Sequence, residues 1–371
     1  MFGKKKTPPR IVGIDIQKNC IRYCTKKGDR FKCGELVVNG TIFKDDKLRN
    51  PDSLESAFEQ ISKALRIRTM NVVINAPNAK LLIKQVPIGT MRTEKEIREH
   101  VYFELGESIS LPFEKPIFDL LILGQGNKQE VSKINRKMQS SILTFRGKKQ
   151  KVGEPEAGIR QSVTQDASSS QAIVIQRNRF SINGHVPVAV TSEPILVQVG
   201  EVLKKGGHQL MGVDCSFLAY TRMFPRQINW GENFVLIEMN AGVANIVFFE
   251  ELVPIYVQYE DYNQANWKYV ENQESVQVSF RESAEIQALE GIAETINSVI
   301  DYFYREVSPN CTLSKIYLVG GHPMLRKEVE EIFSDITSIP VKLLTVKVSE
   351  TNRKKIPDHY VLAAGLAMKE V

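Results

Sequence analysis

One pattern occurs twice in this chain and restricts its fold more than any other feature: three short strands in succession, each ending in a polar turn. Ile11–Ile16, Cys20–Thr25 and Phe31–Val38 are separated by Gln17-Lys18-Asn19 and by Lys27-Gly28-Asp29. The same arrangement returns at Phe234–Met239, Ala244–Phe249 and Leu252–Gln258. A three-stranded meander cannot cover its own apolar faces, so each copy requires further elements to close it. Two copies in one chain therefore predict duplicated domains that face each other across a cleft.

The intervening sequence supplies the covering elements. Leu54, Phe58, Ile61 and Leu65 lie at helical spacing behind Asp52 and Ser53, and strands are expected at Asn71–Ala76 and Leu81–Val86. Thr93-x-x-Glu96 is a capping box opening a helix with Ile97, Val101 and Leu105 on one stripe, closed near Leu111-Pro112-Phe113. From Gly124 to about Gln171 the periodicity disappears apart from a strand suggested at Ser140–Phe145, and the segment reads as a mobile insertion. Strands at Ala172–Gln176 and Val186–Val190, a helix from Ser192-Glu193-Pro194 to Gly206-Gly207 and a strand at Gln209–Asp214 follow. In the second half, Glu285–Val307 carries Ile286, Leu289, Ile292, Ile296, Val299, Ile300 and Phe303 on one helical stripe, a core-facing pattern. Lys315–Val319 then runs into Gly320-Gly321-His322-Pro323 and a helix at Met324–Phe333, the order that phosphate sites use. Val341–Leu344 and a helix at Tyr360–Lys369 complete the pattern.

Composition excludes several classes. Hydrophobic residues at 42% and charged residues at 25% match an ordinary globular chain. No apolar run approaches the roughly 18 residues of a membrane span. The basic start is followed by Ile11-Val12-Gly13-Ile14-Asp15, not a signal-peptide core, so the chain is expected to be neither secreted nor membrane-spanning. Cys20, Cys24, Cys33, Cys215 and Cys311 are odd in number and form no CxxC pair, so neither a disulfide framework nor a zinc ribbon is expected, and the cytosol is the default compartment. Cys20 and Cys24, four residues apart on one strand and so about 13 Å apart, cannot bridge each other and read as small buried hydrophobes. The histidines show no metal-ligand spacing, and no GxGxxG, Walker or GxSxG motif is present.

The net charge of +6 is unevenly spread. Lys4, Lys5, Lys6 and Arg10 make a basic tail, and Gln125–Gln171 holds nine basic residues against four acidic ones. A solvated basic face is the first reading and contact with anionic lipid the alternative. Only Phe145 interleaves the charges of the insertion, so no nucleic acid partner is expected.

The turns of the repeat carry a resemblance. Val12-Gly13-Ile14-Asp15-Ile16-Gln17-Lys18-Asn19-Cys20-Ile21 is similar to the first phosphate motif of the superfamily joining actin, heat-shock chaperones and sugar kinases. Leu236-Ile237-Glu238-Met239-Asn240-Ala241-Gly242-Val243-Ala244-Asn245-Ile246 resembles its second, and Ile316-Tyr317-Leu318-Val319-Gly320-Gly321-His322-Pro323-Met324-Leu325 its adenosine motif. Within that superfamily the chain resembles the PilM family, FtsA-like proteins of type IV pilus assembly. Phe103–Phe113 is similar to the family's helix ending in Ile-Pro-Phe, and Ala364-Gly365-Leu366-Ala367 to its closing Gly-Leu-Ala.

The resemblance implies an α/β, actin-like two-domain fold with duplicated ribonuclease-H-like sheets and an FtsA-type inserted subdomain. The expected division is a basic tail at 1–10, a first actin-like subdomain at 11–86 and 207–230, and an inserted subdomain at 87–206 containing the insertion at about 125–171. A second actin-like domain follows at 231–371, with a helical subdomain at about 260–310. It also implies a weak or altered site for ATP and magnesium at Asp15, Gln17, Lys18, Asn19, Glu238, Asn240, Asn245, Gly320 and Gly321, with Asp15 holding the metal through water.

Against the superfamily pattern, Gln17 replaces a glycine, and Lys18, Asn19 and Cys20 replace serines. Glu238 replaces Asp, Asn240 replaces Gly, and Ala244-Asn245 stands where Thr is expected. A Cβ at position 17 costs about 1 kcal/mol if that turn requires a positive φ, whereas Asn at 240 tolerates one. Lys18 and Arg22 still offer positive charge, and His322 is a candidate to face a ligand or lie on a surface turn. No residue stands out as a base for hydrolysis, so the resemblance implies a degenerate cleft and not an enzyme.

In the PilM family a groove receives the N-terminal cytoplasmic peptide of PilN, a bitopic membrane protein. Ile97, Val101, Leu105, Pro112 and Phe113 are the candidate lining of such a groove, core burial being the alternative for each. The implied protein is a cytoplasmic scaffold on the inner face of the membrane that meets other pilus or secretion components and leaves a homo-oligomer open. The alternatives are an ATP-dependent kinase or ATPase, which needs an intact phosphate cradle, and an FtsA-like division protein, which ends in an amphipathic membrane helix after a linker.

Overall fold

The computed structural model describes residues 10–44, 47–91, 93–121, 184–250, 252–263, 266–271, 276–325, 327–346 and 356–369. The first strand–turn–strand–strand unit is β1 (Ile11–Ile16), β2 (Cys20–Lys27) and β3 (Arg30–Val37), followed by the short pair β4 (Phe43–Lys44) and β5 (Lys47–Leu48). Helix α1 (Pro51–Leu65) leads to β6 (Asn71–Asn75). Proline sets the first turn of α1, Leu54, Phe58, Ile61 and Leu65 are buried, and Arg66 ends it at φ 57°.

Strands β7 (Leu82–Pro87), β8 (Pro116–Leu120) and β9 (His185–Ser192), with helix α2 (Glu94–Glu107), form a separate unit. The chain returns through α3 (Glu193–Lys205), β10 (Gln209–Asp214) and α4 (Ser216–Met223). The second half contains β11 (Asn233–Asn240), β12 (Val243–Glu250), β13 (Val253–Asp261), the hairpin β14 (Lys268–Glu271) and β15 (Val276–Ser279), and α5 (Glu282–Tyr302) with a π turn at Phe303–Val307. It closes with β16 (Leu313–Val319), α6 (Lys327–Thr337), β17 (Val341–Leu343) and α7 (Val361–Leu366).

The duplication is complete at the level of the sheets. The first has the order β10-β6-β1-β2-β3 and the second β17-β16-β11-β12-β13. In each, the meander is antiparallel and the two added strands run parallel. Alternation along β11 and β12 gives the second sheet two different faces. Val235, Ile237, Met239, Ile246 and Phe248 pack with α5 and α6 residues such as Ile292, Ile296 and Phe333. Phe234, Leu236, Val247 and Phe249 join the core of the first domain, where Phe217 of α4 meets Phe249 edge-on at 6.0 Å. The domains thus share apolar packing on one side and form a cleft on the other.

Several boundaries differ from the sequence reading. Leu82–Pro87 pairs antiparallel with β9, so this strand belongs to the inserted unit and not to the first subdomain at 11–86. Helix α3, expected inside 87–206, buries Leu196, Val199, Val202 and Leu203 in the first-domain core instead. The segment at about 260–310 starts at the end of β13, carries the β14–β15 hairpin and is helical only from Glu282. Helix α7 returns from the second half to the first sheet: a Cβ on Gly13 of β1 would stand 2.1 Å from the Ala363 carbonyl oxygen, and one on Gly365 2.2 Å from that of Ala219. The insertion at about 125–171 and the strands expected at Ser140–Phe145 and Ala172–Gln176 lie outside the described residues.

The cysteine reading also requires correction. Cys24 and Cys33 form a disulfide, while Cys20, Cys215 and Cys311 are free and buried. Cys24 does not pair along its own strand; it faces Cys33 across the β2–β3 ladder, with Cα atoms 4.1 Å apart.

Candidate functional site: the interdomain cleft

The two hairpin turns meet at the cleft. In the first, Gln17 N donates to the Cys20 carbonyl at 2.8 Å, closing the turn. Among the described residues the non-glycine positive φ values are at Arg66, Lys115, Leu252 and Ser338, so Gln17 pays no left-handed penalty. Its side chain serves Asp15: Nε2 donates to Oδ1 at 2.7 Å. Burial pushes the Asp15 carboxyl up to about 6, against the pull of Arg22 and of the Gln17 bond. In the second turn Gly242 takes φ 71°, which leaves Asn240 extended as the last residue of β11.

Glu238 is the hub between the domains. Its Oε2 accepts from Ser216 Oγ at 2.5 Å and from Asn78 Nδ2 at 3.1 Å, both first-domain residues. Its Oε1 accepts from Asn240 Nδ2 at 2.8 Å. Burial pushes the Glu238 carboxyl up to about 7; the bond from Ser216 opposes the rise and the charge of Asp15 adds to it. Asn245 Nδ2 donates to Ser216 Oγ at 3.3 Å.

The glycine turn completes the site. Gly320 sits at φ 130°, where a Cβ would stand 2.0 Å from the Met239 carbonyl oxygen. Gly321 N donates to Asn240 Oδ1 at 3.0 Å, and a Cβ there would lie 2.9 Å from Arg22 Nη1. A cleft of about 340 Å³ opens beside this turn, lined by Arg22, Glu35, Val278, Gly321, Leu344 and His359 among others. Arg22 is buried, 3.4 Å from Glu35, with its guanidinium 5.5 Å from the Tyr269 ring centre. His359 is held down to about 4 by burial and by the Arg22 charge.

His322 is neither on a surface turn nor free to take a ligand through its nitrogens. Met324 N donates to its Nδ1 at 3.1 Å, so the other nitrogen carries the proton and donates to Glu285 Oε1 at 3.0 Å.

The phosphate end of the cleft is lined by the chain's own aromatic residues. Cys20 of the first turn and Ala241 of the second pack with Trp267 and Tyr269 in one buried apolar cluster. Lys18 Nζ donates to the Trp267 carbonyl at 3.4 Å and Asn19 Nδ2 to the Tyr269 carbonyl at 3.1 Å. Two candidate phosphate ligands thus donate to the chain's own backbone across about 250 residues, beside the Arg22 guanidinium. Asp15 is bonded to Gln17.

The candidate groove residues fall elsewhere. Ile97, Val101 and Leu105 are buried in the core of the inserted unit with Val86, Val188 and Val190, so a partner cannot reach them. Phe113 packs partly buried against that core, and Pro112 is exposed. The outer face of α2 instead presents Tyr102 and Phe103, 69% and 62% exposed, edge to face with ring centres 5.9 Å apart. Its Thr93–Glu96 capping box is formed.

Ser216, Asn78, Trp267, Tyr269 and Glu285 were not singled out by the sequence. Each stands far along the chain from its partner in the cleft, and no local spacing signals the contact.

The duplicated sheets, the unit inserted into the first of them between β6 and β10, and the glycine turn define an actin-like fold of two domains. Among solved structures, the PilM–PilN type IV pilus biogenesis complex matches with a TM-score of 0.65 at 15% identity, covering 96% of this chain and 97% of that one. The cytoplasmic domain of EpsL, an inner-membrane component of the Vibrio cholerae type II secretion system, matches with a TM-score of 0.45 at 10% identity over 98% and 96% of the two chains. A Bacteroides thetaiotaomicron protein of actin-like ATPase fold matches with 0.42 at 10% identity over 93% and 94%. No protein-family profile and no curated protein matches the sequence. Among the described residues no helix is long and apolar enough to cross a membrane.

Proposed function

We propose that this chain is an assembly scaffold of a type IV pilus or related secretion machine. It holds a cytoplasmic peptide of a bitopic, PilN-like membrane partner and does not turn over nucleotide. The supporting observation is the agreement of fold over nearly the whole length of both chains with the PilM–PilN complex. On this reading the protein is cytoplasmic and is held at the inner face of the membrane through its partner. Further machinery components and copies of itself are additional contacts.

The docking surface is assigned to the exposed side of Thr93–Phe113, where Tyr102 and Phe103 offer rigid aromatic anchors. The closed phosphate end supports a scaffold over a kinase or ATPase, since phosphoryl transfer needs an open, charged cradle. The test is a calorimetric titration with the N-terminal cytoplasmic peptide of a bitopic, PilN-like protein from the same organism. Saturable binding weakened by Tyr102→Ser and Phe103→Ser supports the reading; no binding, or turnover of MgATP lost on Asp15→Ala, removes it.

A further inference from the structure

We infer that Trp267 and Tyr269 are a built-in occupant of the space between the two hairpin turns, latching the domains together without nucleotide. The segment touches both turns. Tyr262 N and Asn263 N donate to the Gly242 carbonyl at 2.9 and 3.1 Å on the second-domain side. On the first-domain side the Trp267 and Tyr269 carbonyls accept from Lys18 and Asn19, and Arg22 lies over the Tyr269 ring.

The segment is also braced from behind. Trp267 Nε1 donates to Glu285 Oε2 at 3.1 Å, and Asn263 Nδ2 donates to the same oxygen at 2.7 Å. Glu285 is bonded in turn to His322, which follows the glycine turn directly, and the Trp267 indole stacks on Phe280 at 4.7 Å. The latch is therefore a second-domain element fixed by its own hydrogen bonds that reaches across the cleft to three first-domain side chains. A phosphate chain entering here must expel an indole and a phenol ring and strip Lys18 and Asn19 of their acceptors. The inference rests on the scaffold reading and deepens it by naming what fills the site.

Hydrogen–deuterium exchange of the full chain, followed by mass spectrometry with and without millimolar MgATP, tests it. In the wild type, exchange in peptides covering Asp15–Ile21, Asn240–Val243 and Trp267–Glu271 is expected to be the same in both conditions. In Tyr269→Ala exchange in the first two is expected to rise several-fold, and in Tyr269→Phe, which keeps the ring under Arg22 but loses the hydroxyl's bond to it, to rise less. Should Tyr269→Ala fail to fold, Asn19→Ala gives the second reading, with faster exchange expected in the Trp267–Glu271 peptide. Protection of the turns by MgATP in the wild type, or unchanged exchange in the folded variant, overturns the latch. Peptide titration run in parallel separates the two ideas: lost peptide binding removes the scaffold and leaves the latch, whereas protection by MgATP does the reverse.

Discussion

Ser216 Oγ lies 2.5 Å from Glu238 Oε2, joining the first residue of a first-domain helix to a buried second-domain strand. The bond gives a buried carboxyl a partner from the opposite domain and opposes its protonation. Asp15 stands near enough for its charge to raise Glu238 further.

Stability is expected to fall as pH rises from these two groups. Burial raises Asp15 to about 6 and Glu238 to about 7, so the folded chain holds protons that the unfolded chain releases near pH 4. Their contribution is complete below about pH 4, is lost as pH climbs through about 6 and 7, and is level above. Melting curves between about pH 5 and about pH 8 should show this fall, and Asp15→Asn or Glu238→Gln should flatten it. A wild-type slope retained in both variants would contradict the assignment.

The close approaches of three glycines should be costly to fill. Gly365→Ala sets a methyl against the Ala219 carbonyl and Gly320→Ala one against the Met239 carbonyl at a positive φ, so each is expected to destabilise by about 1–3 kcal/mol or more. Gly321→Ala meets the end of the Arg22 side chain, which can move, and His359 at 3.1 Å, a looser approach than the 2.0–2.2 Å carbonyl contacts, and should cost less. Chemical denaturation of the three variants checks the ranking.

On helix α2 the two faces should respond oppositely. Ile97→Ala removes buried core and is expected to cost about 2–5 kcal/mol of stability. Tyr102→Ser and Phe103→Ser, on the exposed face, should stay within about 0.5 kcal/mol of wild type while weakening peptide binding about tenfold or more. Denaturation and calorimetry on the same preparations separate the effects.

Alkylation of the denatured, unreduced protein should label three cysteines, Cys20, Cys215 and Cys311. Labelling after reduction should reach all five, and the mass difference should map to Cys24 and Cys33. Five labels without reduction would show the pair to be open.

The fold was largely legible because its strongest signal is local. The hairpin turns at Gln17–Asn19 and Asn240–Gly242, the capping box at Thr93 and the glycine pair at 320 and 321 are each visible in a few residues. The disulfide was legible in principle: the turn at Gly28-Asp29 pairs Lys27 with Arg30, and counting back along both strands sets Cys24 opposite Cys33. The spacing of Cys20 and Cys24 along one strand carries no such signal.

The candidate site was less legible because its partners are remote. The bond from Asn19 to Tyr269 spans 250 residues, and nothing near Trp267 marks it as filling a cleft. Nor does the apolar stripe Ile97, Val101 and Leu105 say whether it faces a core or a partner; the sheet beneath it decided for the core.

The most direct test of the scaffold account is calorimetric titration of the full chain with the bitopic partner's cytoplasmic peptide, in buffer with and without MgATP. The account predicts saturable binding of one peptide per chain with the same affinity in both buffers. Absence of binding, or binding that requires MgATP, would contradict it.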